Sequence, residues 1–176
     1  SGVIYQDLAA NGHRDTNEPG LPGVKVYVDL NNDGQRQDAE PQSITDRQLA
    51  GNTLALWVDH WPGDGGRRGW TVWLEPTWHI VGPDRVLAGS MQAQDEDDGS
   101  GWKAVTDVAD TLVGRTIVQL AVEPVTGDLV VRLNDGITVR TFASDPRETM
   151  HWRIKDHGLG ESVTGSPNGM LLDPAA

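Results

Sequence analysis

From Arg47 onward the chain never runs far before it meets a turn signal. Short runs of β-branched, aromatic and aliphatic residues recur at 53–59, 70–75, 78–81, 86–91, 117–122, 129–133, 138–142 and 151–155. Between them stand Pro62-Gly63-Asp64-Gly65-Gly66, Gly82-Pro83-Asp84, Thr126-Gly127-Asp128 and Asn134-Asp135-Gly136. Runs this short, closed by Gly, Pro and Asp, suit strands and leave little room for helices. Asn134-Asp135-Gly136, set between Val130-Val131-Arg132-Leu133 and Ile137-Thr138-Val139, is a strong hairpin signal. One stretch breaks the rule. Over 102–112, Trp102, Val105, Val108, Ala109 and Leu112 fall on one face at helical spacing, and Gly114 follows as a stop. The pattern predicts a mainly β, antiparallel domain with one short helix.

Such a domain needs a core, and the composition supplies one: 37% of residues are hydrophobic and all seven Trp lie beyond Arg47. The net charge of −12, from 26 acids against 14 bases, repels phosphate backbones and anionic lipid, which argues against nucleic-acid or membrane-surface partners and suits a basic partner or a cation. No apolar run approaches the ~18 residues of a membrane span, so membrane insertion is not expected. With no Cys, the chain has no disulfide, thiolate catalysis or Cys-ligated zinc. A start at Ser1 rather than Met fits a processed or excised segment. The acid run Asp95-Glu96-Asp97-Asp98 reads as a solvated loop.

The first 46 residues have a different texture. Ile4-Tyr5-Gln6-Asp7-Leu8 matches Val26-Tyr27-Val28-Asp29-Leu30 at an offset of 22, Asn11-Gly12 aligns with Asp33-Gly34, and Glu18-Pro19 with Glu40-Pro41. Each unit reads as a strand followed by a polar loop. The second loop, Asp29 to Glu40, fits D-x-[DN]-x-[DN]-G-x₅-E at every constrained position. Calcium takes six to eight oxygens at ~2.3–2.6 Å, so a chain that wraps it must aim alternate residues inward. Asp29, Asn31 and Asp33 would supply side-chain oxygens, Gln35 its carbonyl, Gln37 a direct or water-borne contact, and Glu40 both carboxylate oxygens, with Gly34 allowing the turn. An ordinary acidic hairpin loop is the simpler alternative. In the first copy Asp7, Asn11, Asp15, Glu18 and the His13 carbonyl take ligand positions, while Ala9 sits where Asp or Asn belongs. Pro19 and Pro41 follow the loops directly and disfavour flanking helices.

The stretches Gly2-Val3-Ile4-Tyr5-Gln6-Asp7, Asn11-Gly12…Asp15…Glu18-Pro19-Gly20-Leu21-Pro22-Gly23-Val24-Lys25-Val26 and Ile44-Thr45-Asp46 resemble the SdrD B-type repeat of bacterial surface proteins. That resemblance implies an extracellular β-sandwich module rigidified by calcium, used as a spacer in adhesins and matrix proteins. It covers residues 2–46 and ends where Arg47-Gln48-Leu49-Ala50-Gly51 leads away from the family's next strand, so the module is a truncated one. Beyond it, Trp78-His79-Ile80-Val81-Gly82-Pro83, Leu112-Val113-Gly114-Arg115-Thr116-Ile117, Asp128 to Gly136, Phe142 and His151-Trp152-Arg153-Ile154 resemble small uncharacterised bacterial proteins of the immunity type. This implies protein-partner binding and carries over no catalytic residue.

Nothing in the second half announces an enzyme. Asp59-His60 is the one adjacent acid–base pair, but neighbours on a strand face opposite sides. No nucleophile elbow, P-loop or H-E-x-x-H is present, and Glu75 with Asp59 or Asp128 is a pairing that chance explains in so acidic a chain. Trp57, Trp61, Trp70, Trp73 and Trp78 offer a sugar-stacking platform, against which Trp73 and Trp78 read first as core and Trp61, beside a Pro-Gly turn, as the exposed, partner-binding one. The expectation is a non-enzymatic, calcium-stabilised binding protein: a partial β-sandwich segment over 1–46, and a Trp-rich antiparallel β domain over 47–176 that folds by itself and binds a protein or a surface glycan. A structural spacer or adhesion module, or a carbohydrate-binding module, is the alternative. The calcium loops place the chain outside the cell or on its surface; immunity-type proteins are usually cytoplasmic.

Overall fold

A computed structural model describes residues 42–59, 69–94, 99–143, 145, 147 and 150–173. The chain forms β1 (Gln42–Ala50), β2 (Thr53–Val58), β3 (Trp70–Leu74), β4 (Trp78–Val81), β5 (Val86–Gly89), a 3₁₀ turn, α1 (Ser100–Asp110), β6 (Thr116–Val122), β7 (Leu129–Leu133), β8 (Thr138–Thr141), β9 (Trp152–Asp156), β10 (Ser162–Ser166) and β11 (Gly169–Asp173). All pairings are antiparallel, in the order β11-β10-β9-β3-β2-β1-β6-β7-β8-β4-β5. The expected mainly β fold with one helix is what the chain adopts.

The sheet has two arms joined through β1. Residues 44–50 of β1 pair with β2, while Gln42 and Ser43 pair with Ile117 and Thr116 of β6. The register shifts between Ile44 and Asp46, where the strand passes from one arm to the other. Bulges commonly mark strands that switch sheets at the corner of a sandwich. Both arms turn one face to a shared core: Leu54, Leu56 and Val58 of β2, Val72 and Leu74 of β3, Trp78 and Ile80 of β4, Val131 of β7 and Val139 of β8 are buried in a single cluster. The arrangement is β-sandwich-like. Val105 and Ala109 of α1, with Leu112 just after it, complete that cluster, whereas Trp102 is 37% exposed at the rim of the helical face.

Three strands, β1, β10 and β11, escape a reading by apolar runs, and two tight turns connect them to their neighbours. Gly51-Asn52 joins β1 to β2, with Gly51 at φ +58 in the first turn position that favours Gly. Pro167-Asn168 joins β10 to β11. β1 carries Asp46, Arg47 and Gln48 at its centre, and Arg47 uses them as a tie: its guanidinium pairs with Asp110 at the end of α1. β10 holds Gly165 because its cross-strand neighbour is Trp152; a Cβ at Gly165 would lie 1.9 Å from that indole.

β1 runs through residue 46, the limit of the surface-protein resemblance, and Ile44 is 0% exposed. Its N–H donates to the Arg115 carbonyl and its own carbonyl accepts from Gly114, so Ile44 closes the corner through backbone as well as side chain. Two outcomes follow. A fragment starting at Gln42 keeps a cooperative denaturant transition, whereas one starting at Arg47 loses the corner and with it that transition. In the full chain, Ile44→Ala lowers stability by roughly 2–5 kcal/mol, the usual cost of emptying a buried Ile site, read from the urea midpoint.

Candidate functional site

β2, β3 and β9 lie side by side, and their two-residue period sorts every side chain to one face or the other. Leu54, Leu74 and Trp152 form one cross-strand row, and Leu56, Val72 and Ile154 the next; these point to the core. The intervening rows, Ala55-Trp73-Arg153 and Trp57-Thr71-Lys155, point outward. There Trp57, Thr71, Trp73, Glu75, Met150, Arg153, Lys155 and His157 line a cleft of about 400 Å³.

The cleft is built and polar-bonded. Thr71, 1% exposed, lines it between the larger side chains. The indoles of Trp57 and Trp73 stand 6.3 Å apart and tilted by 59°. Thr71 Oγ1 and His157 Nε2 are hydrogen-bonded at 2.6 Å, which orients the imidazole, and the backbone N–H of His157 donates to the Gly69 carbonyl, which anchors the chain there. Thr53 Oγ1 donates to Glu75 Oε2 at 3.0 Å. Arg153 Nη2 donates to Ser162 Oγ at 2.9 Å, while its Nε is buried with no partner among the described residues. Tilted aromatic faces beside donors and acceptors make a site for a ring that is apolar on its face and polar at its edge.

The residues singled out from sequence separate accordingly. Of the aromatic platform, Trp57 and Trp73 come together here. Trp70 and Trp78 are instead core, at 1% and 0% exposed. The core reading of Trp73 is corrected: it lies between Val72 and Leu74, so the strand period that buries both neighbours turns it outward. Trp61 lies outside the described residues, in the connection between β2 and β3. The calcium positions Asp29, Asn31, Asp33, Gln35, Gln37, Glu40, Asp7, Asn11, His13, Asp15 and Glu18 lie outside them too, as does His60. Among the described residues no group of three His, Asp or Glu is arranged to hold a metal.

The acid and base candidates disperse. His79 stacks on Phe142 at 4.5 Å on the other arm, and burial, with Arg140 nearby, pushes its imidazole below the usual histidine range. His151 is buried. Asp128 accepts from Thr126 in the β6–β7 turn, so of the proposed carboxylate pairs only Glu75 lines the cleft. His157 is visible in the sequence only as a dispersed histidine, and Arg153, Lys155 and Met150 are not singled out by it as site residues. The usable signal was the alternation of Arg153 and Lys155 with Trp152 and Ile154.

Compared with protein-family models, curated proteins and solved structures, the chain matches none.

Asp59 serves the corner rather than chemistry. Its Oδ1 accepts the Ser43 N–H at 2.9 Å, its own N–H donates to the Ser43 carbonyl, and its backbone sits at φ +51. Burial pushes the carboxyl up, partly offset by the Ser43 hydrogen bond, and Oδ2 has no partner among the described residues. A carboxyl raised on folding favours the folded state while protonated, and that contribution is lost as pH rises through the raised value. Asp59→Asn keeps the acceptor, tolerates positive φ and removes the buried charge. Urea midpoints should show the variant at least as stable as the parent at pH 7, with any advantage shrinking as pH falls through the raised value of the folded state toward the ordinary carboxylate range.

Proposed function

We propose that this chain is a non-enzymatic binding module of the cell exterior, whose β-sandwich-like domain takes sugar rings in the Trp57–Trp73 cleft and whose N-terminal segment is stiffened by calcium. The observation that carries the sugar reading is the pair of indoles held outward on a sheet face, with Glu75, Arg153 and His157 as hydrogen-bonding edges. A protein hot spot also uses Trp, but a standard protein interface covers ~800 Å² on each partner. A cleft of about 400 Å³ falls in the ~300–1,000 Å³ class of small-ligand sites. Binding is favoured over hydrolysis because Glu75 is the one carboxylate among the described lining residues, and glycoside hydrolysis uses two. Thr71, nearly inaccessible, holds His157 in place and is not presented as a nucleophile.

The test is titration of intrinsic Trp fluorescence with short neutral and acidic oligosaccharides. Saturable binding to the parent is expected. Trp57→Ala, which removes a half-exposed ring, weakens it tenfold or more, or about 1.4 kcal/mol, while the melting temperature stays within a few degrees. No binding by any oligosaccharide, or binding untouched by Trp57→Ala, would overturn the reading.

Calcium belongs to this reading through the Asp29–Glu40 loop, where Asp29, Asp33, Asp38 and Glu40 repel one another unless an ion is shared. Binding to the folded state alone stabilises by RT ln(1 + [L]/Kd), ~2.7 kcal/mol at a hundredfold excess. Calcium should protect the stretch ahead of β1, residues 1–41, from proteolysis, and chelator should expose it. Glu40→Ala abolishes most of that protection, and Glu18→Ala less, because the first loop already lacks a ligand at Ala9.

A further inference from the structure

The cleft is asymmetric in charge, and this asymmetry selects among sugars. Trp57 lies on β2 and Trp73 on β3, whereas Arg153 and Lys155 both lie on β9. Trp73 is directly opposite Arg153, and Thr71 directly opposite Lys155. Neighbouring strands lie ~4.8 Å apart. A ring resting on the indoles therefore presents its edge substituents to the two cations one strand away.

Those cations are available. Among the described residues neither Arg153 nor Lys155 takes part in an ion pair. Against these two cations the described lining residues include one acid, Glu75, whose Oε2 accepts from Thr53. Of the five N–H donors of Arg153, the bond to Ser162 uses one and the buried Nε withdraws another, which leaves three on the two terminal nitrogens. A planar guanidinium with free donors matches a carboxylate's two oxygens. Covering both cations with a neutral ring would strip them of water without a counter-charge, which is costly. The −12 charge of the whole chain acts at long range and is screened beyond ~8 Å at physiological salt, so contact with Arg153 and Lys155 decides binding.

We infer that the cleft recognises an acidic sugar: a uronic-acid residue whose ring packs on Trp57 and Trp73 and whose carboxylate lies against Arg153 and Lys155. This rests on the sugar-binding reading above and narrows its ligand class. An acidic peptide would satisfy the same cations, but it offers no rigid ring for a tilted indole pair.

The decisive comparison is between oligogalacturonate or oligomannuronate trimers and their methyl esters, which keep the ring and remove the charge. By calorimetry on the full chain at low salt, at least one acid form is expected to bind tenfold or more tightly than its ester. Arg153→Gln and Lys155→Gln should each shrink that ratio, and the acid's advantage should narrow between 50 and 500 mM NaCl. Lys155→Gln, whose side chain makes no hydrogen bond in the described structure, keeps the test decisive should Arg153→Gln fail to fold. Esters or neutral trimers binding as well as the acids would overturn the inference and leave the sugar reading standing. No trimer binding at all would overturn both. A hexaglutamate peptide binding as tightly as the acidic trimers would place the specificity in charge alone and also overturn it.

Discussion

The structure turns on one strand serving two hydrogen-bonded ladders. β1 gives residues 44–50 to β2 and residues 42–43 to β6, and the register shift near Ile44 lets one continuous chain leave one arm and enter the other. Everything that closes the core converges there. Ile44 fills the corner, Gly114 and Arg115 at the exit of α1 bond to its backbone, and Asp59 clasps Ser43 from the end of β2. Without that junction, two curved sheets would each expose one apolar face. A face of Leu54, Leu56, Val72 and Leu74 is stable only when Trp78, Ile80, Val131 and Val139 cover it.

Once the inner face is committed to the core, strand geometry fixes the outer one. β3 is the clearest case, because Val72 and Leu74 cannot turn inward without turning Trp73 out. Trp57 beside it follows the same rule between Leu56 and Val58. The two half-buried rings line the cleft on the outer face of the sheet, where the proposed contact would be made. In the proposed reading it is β9 that would make the contact selective. Trp152 and Ile154 pack inward against Gly165 and Val163 of β10, so Arg153 and Lys155 are delivered to the rim of the same cleft. Gly165 thus acts on the site from behind: the missing Cβ makes room for the Trp152 ring and lets β9 lie close to β10.

Much of the fold was legible because the central strands are short, apolar and bracketed by turn residues. The 78–81 and 129–133 strands and the Asn134-Asp135-Gly136 hairpin stand where the pattern places them. β1, β10 and β11 were not legible, for physical reasons particular to each. β1 has a salt-bridging Arg47 at its centre, β10 reads Ser-Val-Thr-Gly-Ser with a Gly that only its partner Trp152 explains, and β11 is an edge strand. The site was less legible than the fold. Trp57 and Trp73 were visible as a platform, but their cationic neighbours are about eighty residues further along the chain, on a strand whose place beside β3 is set by tertiary packing. No local motif encodes that adjacency. The proposed calcium loop over 29–40 is the reverse case: its motif is complete in twelve residues and legible without any fold.

The central claim is that strand alternation divides the tryptophans into core and cleft, and that the cleft set meets the ligand. The most direct measurement is a two-dimensional ¹⁵N–¹H spectrum of the indole N–H signals, assigned by single Trp→Phe variants and followed as an acidic sugar trimer is added. The Trp57 and Trp73 signals should move along saturable paths. Those of Trp78, bonded to the Asn52 carbonyl, and Trp152, bonded to the Gly127 carbonyl, should stay in place. Movement of Trp78 and Trp152 with Trp57 and Trp73 fixed would contradict it.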